Sequence, residues 1–249
     1  MRPYNLFLAA VFTVAMLVVS CTRPSVEVPD MQFVEGGTVV LGSDDADADA
    51  DEKPLREVAV KSFYISIFEV TQSQWRYVMG EYPSLFVGGN RPVECVSWFD
   101  VQLYIQRLNE LTGKHFRLPT EVEWEYAARG GKANKPYRYS GGDTIDKVAW
   151  WKENFKNGTY DVGAKSANAL GLYDMTGNVH EWCANGYDSL LYSRAEMLLP
   201  LVDSLTAEVT VKGGSWHSEA RHLRISNRNH ISPYVRNATL GFRLAMDAE

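Results

Sequence analysis

Cysteine is scarce in this chain of 249 residues: there are three, and none follows Gly213. No apolar run reaches the ~20 residues that a membrane-spanning helix needs. Acidic residues outnumber basic ones, 31 to 25, and no Lys/Arg-rich stripe is visible, which argues against a nucleic-acid partner. There is no internal repeat, so a solenoid or propeller is excluded. What is present is aromatic mass, seven tryptophans and thirteen tyrosines, as expected of a packed globular domain.

The first twenty residues read as a targeting segment. Arg2 gives a positive start, Leu6 to Ser20 is apolar, and Ser20-Cys21 places a small residue before a cysteine, the order of a bacterial lipobox. The expectation is cleavage after residue 20 and lipidation of Cys21. Residues 21–29, with two prolines, then form a lipid-anchored tether, and residues 30–249 form one domain. The protein is thus expected at the bacterial cell envelope, on a periplasmic or surface face. Losing Arg2 makes the mature chain one charge more negative than the whole chain's −6. If Cys21 is acylated, Cys95 and Cys183 remain, either as a disulfide pair or as two buried thiols.

Local patterns give elements. Residues 31–41 alternate and predict a hairpin turning at Gly36-Gly37, and residues 57–70 have strand composition. Thr71 is placed to cap a helix through about Tyr77. In residues 98–112, Val101, Tyr104, Ile105 and Leu108 recur at helical spacing ahead of Gly113. Thr120 and Glu123 form a capping box for a helix ending at Gly130-Gly131. The acidic run Asp44 to Glu52 is not an EF-hand: a loop starting at Asp45 puts Ala50 and Arg56 where glycine and glutamate belong, so it predicts a solvated loop. The leucine-rich stretch 190–205 is read either as a docking surface, centred on Leu198 and Leu201, or as core.

Six ordered blocks carry a resemblance: 63–75 (FYISIFEVTQSQW), 91–102 (RPVECVSWFDVQ), 116–131 (FRLPTEVEWEYAARGG), 171–182 (GLYDMTGNVHEW), 212–216 (KGGSW) and 240–245 (LGFRLA). Over about residues 31–247 the chain resembles the formylglycine-generating enzyme, or sulfatase-modifying factor, family. That implies an α+β fold of C-type-lectin-like form, two helices beside small twisted antiparallel sheets with much irregular loop. It also implies an oxygen- and copper-dependent oxidase that converts a sulfatase cysteine to formylglycine.

The family's two copper-binding cysteines, separated by four residues after the GGS turn, fall here on Ser218 and Leu223. Copper(I) favours thiolate sulfur, and neither residue supplies it. Copper is therefore unexpected. A site built from His180, His217, His222 and His230 is the weaker alternative, because their spacing matches no ligand pattern. Residues 171–182 read as a structural calcium loop. Asp174 and Glu181 lie seven residues apart across a Gly177-Asn178 turn, and the resemblance adds the carbonyls of Gly177 and Val179. The family's second calcium site is not expected, since Trp150 stands at a ligand position. The groove beside the GGS turn would be lined by Ser215, Trp216, Trp182 and Arg221, with Arg224 and Arg228 nearby. Two functions follow: a membrane-tethered domain without oxidase activity that binds an envelope protein or glycan, or an oxidase with an unrecognised site.

Overall fold

The structure, a computed structural model, describes residues 28–196, 199, 201, 202 and 208–248. The apolar segment before Cys21, Cys21 itself, most of the tether and Leu198 lie outside the described residues. No helix of the described residues is long and apolar enough to cross a membrane.

Short strands and helices alternate with long loops, in the α+β arrangement expected. Strands β1 (Met31–Val34) and β9 (Ala245–Asp247) flank β4 (Phe63–Ser66) in one antiparallel sheet, which brings the two ends of the domain together. β2 (Gly37–Leu41) pairs with β3 (Arg56–Val60). The third sheet runs β7-β6-β5-β8, from β5 (His180–Gly186), β6 (Val209–Lys212), β7 (Asn229–Ile231) and β8 (Leu240–Gly241), with β8 parallel to β5.

The helices start where their caps predict. Thr71 accepts from Gln74 N ahead of α1 (Gln72–Met79), and Gly80 ends that helix at φ 84°. Ser97 and Asp100 cap α2 (Trp98–Thr112), whose four periodic apolar residues are all buried. Thr120 and Glu123 cap α3 (Glu121–Ala128). This helix is buried on nearly every side, including the carboxylates of Glu121 and Glu125. A short helix, α4 (Ile145–Val148), follows in the irregular part.

Residues 31–41 depart from the expected hairpin. β1 and β2 enter different sheets, and Gly36 lies so close to β3's end that a Cβ there would stand 2.6 Å from Val60 O. The glycines serve a close backbone approach rather than a hairpin turn. The acidic run is not wholly solvated either. Glu52 is fully buried, and its carboxylate accepts from Arg224 Nη1 and Nη2 at 2.5 and 2.7 Å. Among the leucines of 190–205, Leu191 is buried and Leu199 packs on the core, while Leu190 and Leu201 are exposed.

The Thr120 cap is testable: Thr120→Ala should lower stability by about 1 kcal/mol in urea denaturation, with an unchanged m-value.

Candidate functional site

Three glycine-like backbone positions shape the turn ahead of β5. Asp174 (φ 53°), Gly177 (φ 84°) and Asn178 (φ 60°) are left-handed, a conformation that glycine, asparagine and aspartate tolerate best. At Gly177 a Cβ would sit 2.3 Å from Trp150 O, so no larger residue fits. Asn178 locks the turn: its Oδ1 accepts from Tyr160 N at 3.0 Å, and its Nδ2 donates to Glu69 Oε2 at 2.7 Å. Glu69 Oε1 accepts from Val179 N at 3.1 Å.

Glu181 is fully buried and engaged. Arg243 donates to it from Nε (2.6 Å) and Nη2 (2.7 Å), and Trp124 Nε1 donates at 2.6 Å. Asp174 is buried too; its Oδ2 accepts from Gly163 N at 2.7 Å, but its Oδ1 has no partner among the described residues. Three buried carboxylates thus face the single guanidinium of Arg243. Burial, with Glu181 close by, pushes Asp174 up to about 6. Burial raises Glu69 well above the carboxylate range, and the charges of Asp174 and Glu181 add to this.

The calcium ligand set fits this turn in one respect. Asp174 offers an open, buried oxygen in a region with excess negative charge, where a divalent cation would restore balance. Among the described residues no three His, Cys, Asp or Glu side chains are grouped to hold a metal. A cation here would take Asp174 Oδ1 with backbone carbonyls of Gly177 and Val179, and would have to share Glu181 with Arg243 and Trp124, which hold both its oxygens. At the second calcium position, Trp150 stacks on Tyr160 at 3.7 Å, and the Lys165 ammonium lies 3.9 Å from its ring centre.

The two positions that the resemblance gives to copper ligands are chemically inert towards that ion. Leu223 is fully buried and packs over the GGS turn, where a Cβ on Gly214 would meet it at 2.5 Å. Ser218 Oγ accepts from Ser215 N at 3.0 Å, shares a 3.2 Å hydrogen bond with Ser215 Oγ, and lies 3.5 Å from His180 Nε2. The cysteines elsewhere do not compensate, and they are not paired with each other. Cys183 is buried in β5 within the core that contains Trp124, whereas half-buried Cys95 sits beside Glu94. Burial pushes the Cys95 thiol up to about 12 and raises Cys183 well above its usual range, so neither is a thiolate near neutral pH.

Of the histidines, His180 and His222 are close to each other, but no third His, Cys, Asp or Glu joins them among the described residues. His230 Nδ1 pairs with Glu208 Oε2 at 2.5 Å and its ring stacks on Tyr187 at 4.0 Å. His217 and His222 lie beside Ser218 and Leu223, where His222 Nε2 accepts from Arg221 Nε. His180 is buried beside Ser218, and its Nδ1 has no partner among the described residues.

The expected groove needs correction at three positions. Trp182 is not a groove wall: it is fully buried, donates to Val96 O at 3.0 Å and belongs to the core under α2. Arg224 and Arg228 are buried in ion pairs with Glu52 and Glu121, which use up their charge. Ser215 is buried at the turn, and Arg221 is exposed. Half-buried Trp216 does face the expected region, where Phe86 meets it edge-on at 5.4 Å and Phe155 at 4.8 Å. Phe86 is pinned by Glu94, which accepts from its N–H, and by Gln72, which donates to its carbonyl. Its neighbours Leu85 and Val87 are 66% and 73% exposed. These loop residues lie outside any periodic pattern, so sequence reasoning passed over them.

Burial, reinforced by the nearby His222, lowers His180 to about 4 against an ordinary 6.5. The folded protein holds this ring neutral while the unfolded chain protonates it. Its contribution is therefore complete above pH 6.5 and is lost as pH falls towards 4, by about 3 kcal/mol in all. Glu69 and Asp174, shifted upward, act in the opposite sense, so the difference between variants is the clean measure. Between pH 6.5 and 4, His180→Gln should lose stability less steeply than the parent in urea titrations.

Comparison with known proteins agrees with this architecture. The family model described as a sulfatase-modifying factor enzyme 1-like domain matches residues 18–248. The chaperone protein LppX of Paenibacillus barcinonensis is 31% identical, over 91% of this chain and 92% of its own length. The formylglycine-generating enzyme of Streptomyces coelicolor is 32% identical over 72% of this chain, which spans 60% of that enzyme. Among solved structures, Treponema denticola variable protein 1 superimposes with a TM-score of 0.78 at 28% identity, covering 88% of this chain and 95% of that one. The chain belongs to the sulfatase-modifying factor enzyme 1-like family.

Proposed function

We propose that this protein is a membrane-tethered member of the family, without oxidase activity, that binds a polypeptide partner in the bacterial cell envelope. The observation that carries this reading is the pair Ser218 and Leu223. A hydroxyl and a buried isobutyl group stand where the oxidase chemistry of the family requires thiolates. The binding surface is the Trp216, Phe86 and Phe155 cluster with Leu85 and Val87 projecting beside it. Aromatic faces flanked by aliphatic side chains on a pinned loop suit an extended apolar peptide better than a polyhydroxyl glycan. That one relative is called a chaperone supports a protein partner. Lipidation of Cys21 would hold the domain at the membrane, and the short tether would keep it close.

A photo-crosslinking residue at Val87 should capture a defined envelope protein, and Trp216→Ala should abolish capture while leaving the melting temperature within a few degrees. Capture that survives Trp216→Ala would place the partner elsewhere.

Calcium belongs to the same reading as a structural ion, held by Asp174, Glu181 and the carbonyls of Gly177 and Val179. It would neutralise the buried excess of negative charge and so stabilise the fold. Adding calcium to chelator-treated protein should raise the melting temperature, and Asp174→Asn should remove the response. An unchanged melting temperature in the parent would refute the site.

A further inference from the structure

A two-lobed cleft lies under the segment 133–139, built from residues that the Trp216 surface does not use. Its lobes measure about 220 and 240 Å³ and share Arg129, Tyr137 and Ile225. In the first lobe buried Ala128 and half-buried Ala167 make an apolar floor, with exposed Ala133 and Ala169 and the rings of Tyr137 and Tyr139 around it. Its charged lining residues are Arg129 and Lys135, and no carboxylate lines it.

The positive charge there is not cancelled from behind. Glu125 is a single buried carboxylate facing two cations. Lys212 Nζ lies 3.0 Å from Oε2, and Arg129 donates to Oε1 from Nε (3.1 Å) and Nη2 (2.7 Å). Arg129 Nη2 also donates to Gly42 O, while its Nη1 makes no hydrogen bond among the described residues. Lys135 has no acidic partner among them; its ammonium lies 5.8 Å from the Tyr137 ring centre. The buried polar group of this lobe, Asn168, spends its amide inward on Ala127 O, Ala128 O and Ser140 Oγ. A ligand is therefore offered donors from Arg129 and Lys135 above an apolar floor, the complement of an anion attached to an apolar group.

The second lobe differs in kind. Ser43, Ser226, Asp45 and Asp143 line it, while its arginines are engaged, Arg138 by Asp47 and Arg224 by Glu52, so it offers mainly acceptors, suited to a peptide N–H. One molecule that presents an apolar side chain and a carboxylate to one lobe, and amide groups to the next, is the end of a polypeptide. We propose that this cleft binds the C-terminal residue of a peptide, its carboxylate on Arg129 and Lys135 and its apolar side chain on the alanine floor, with the preceding amide in the second lobe. The assignment rests on the cleft's own residues and is independent of the Trp216 surface.

The test is a calorimetric titration of the mature protein with three probes: acetyl-Ala-Ala-Phe as free acid, the same peptide as C-terminal carboxamide, and 3-phenylpropionate. The free acid should bind, and the carboxamide should bind at least about tenfold more weakly, as should 3-phenylpropionate, which lacks the amides. Lys135→Gln and Tyr137→Ala, both at partly or fully exposed positions, should each weaken the acid with an unchanged melting temperature, whereas Val87→Ser should not. Equal binding of acid and carboxamide, no binding of the acid at millimolar concentration, or 3-phenylpropionate binding as tightly as the peptide would overturn the proposal.

Discussion

One buried ion pair holds this architecture together. Arg243 lies between β8 and β9 with no solvent exposure, and it grips both oxygens of Glu181 in β5. The same guanidinium donates to Ser66 O at the end of β4 and to Tyr173 O in the turn, while Trp124 of α3 donates to Glu181. Two sheets, a helix and the left-handed turn therefore meet on two side chains. Such a pair adds little relative to a well-packed apolar substitute, but losing one partner strands a buried charge at a cost of about 3–5 kcal/mol. Domains with small sheets and long loops have few ladder hydrogen bonds to fix their loops. Here a buried ionic centre performs that task.

The same device is repeated around α3. Glu121 pairs with Arg228 (2.8 Å), Glu125 with Lys212 and Arg129, and Glu52 of the acidic loop with Arg224. Apart from Glu125–Arg129, four residues apart, these pairs join segments far apart in the chain, so Arg224 and Arg228 tie the irregular 213–240 region to the N-terminal half by charge. This explains why Arg224 and Arg228, which follow the GGS turn, face inward. Their partners are structural acids, while the aromatic cluster of Trp216, Phe86 and Phe155 lies beside Ser218 together with the Lys152–Glu219 ion pair. Only at Glu125 do the cations exceed the acid, and there the cleft opens.

How legible this was depended on range. Two helix starts were readable because a cap is a matter of four adjacent residues, and Thr71 and Thr120 each sit where the backbone needs an acceptor; the third helix was readable from its apolar spacing, and its cap, Ser97, went unread. The family blocks were readable because they mark the buried hub: Glu181, Trp124 and Arg243 lie in three of them. Pairings between distant segments were not. Nothing local shows that Gly36 and Gly37 divide two sheets, that Glu52 finds Arg224, or that Trp182 points into the core under α2 instead of a groove. Phe86 and Phe155 escaped notice for the same reason, since they meet Trp216 only in the folded chain.

Function follows from which parts of this scaffold are retained. The hub and the left-handed turn are built from residues of the shared family blocks, whereas Ser218 and Leu223 supply no thiolate beside the GGS segment. The Leu223 side chain fills the space over Gly214 and belongs to an apolar cluster with Tyr139 and Trp151. The central claim is that this domain is not a copper-dependent oxidase, and the most direct measurement is mass spectrometry of a sulfatase-motif peptide incubated with the mature protein, copper(I) and oxygen. The account predicts no conversion of the peptide's cysteine to the aldehyde while an active family enzyme converts it in parallel. Conversion by this protein would contradict the account and place an oxidation site outside Ser218 and Leu223.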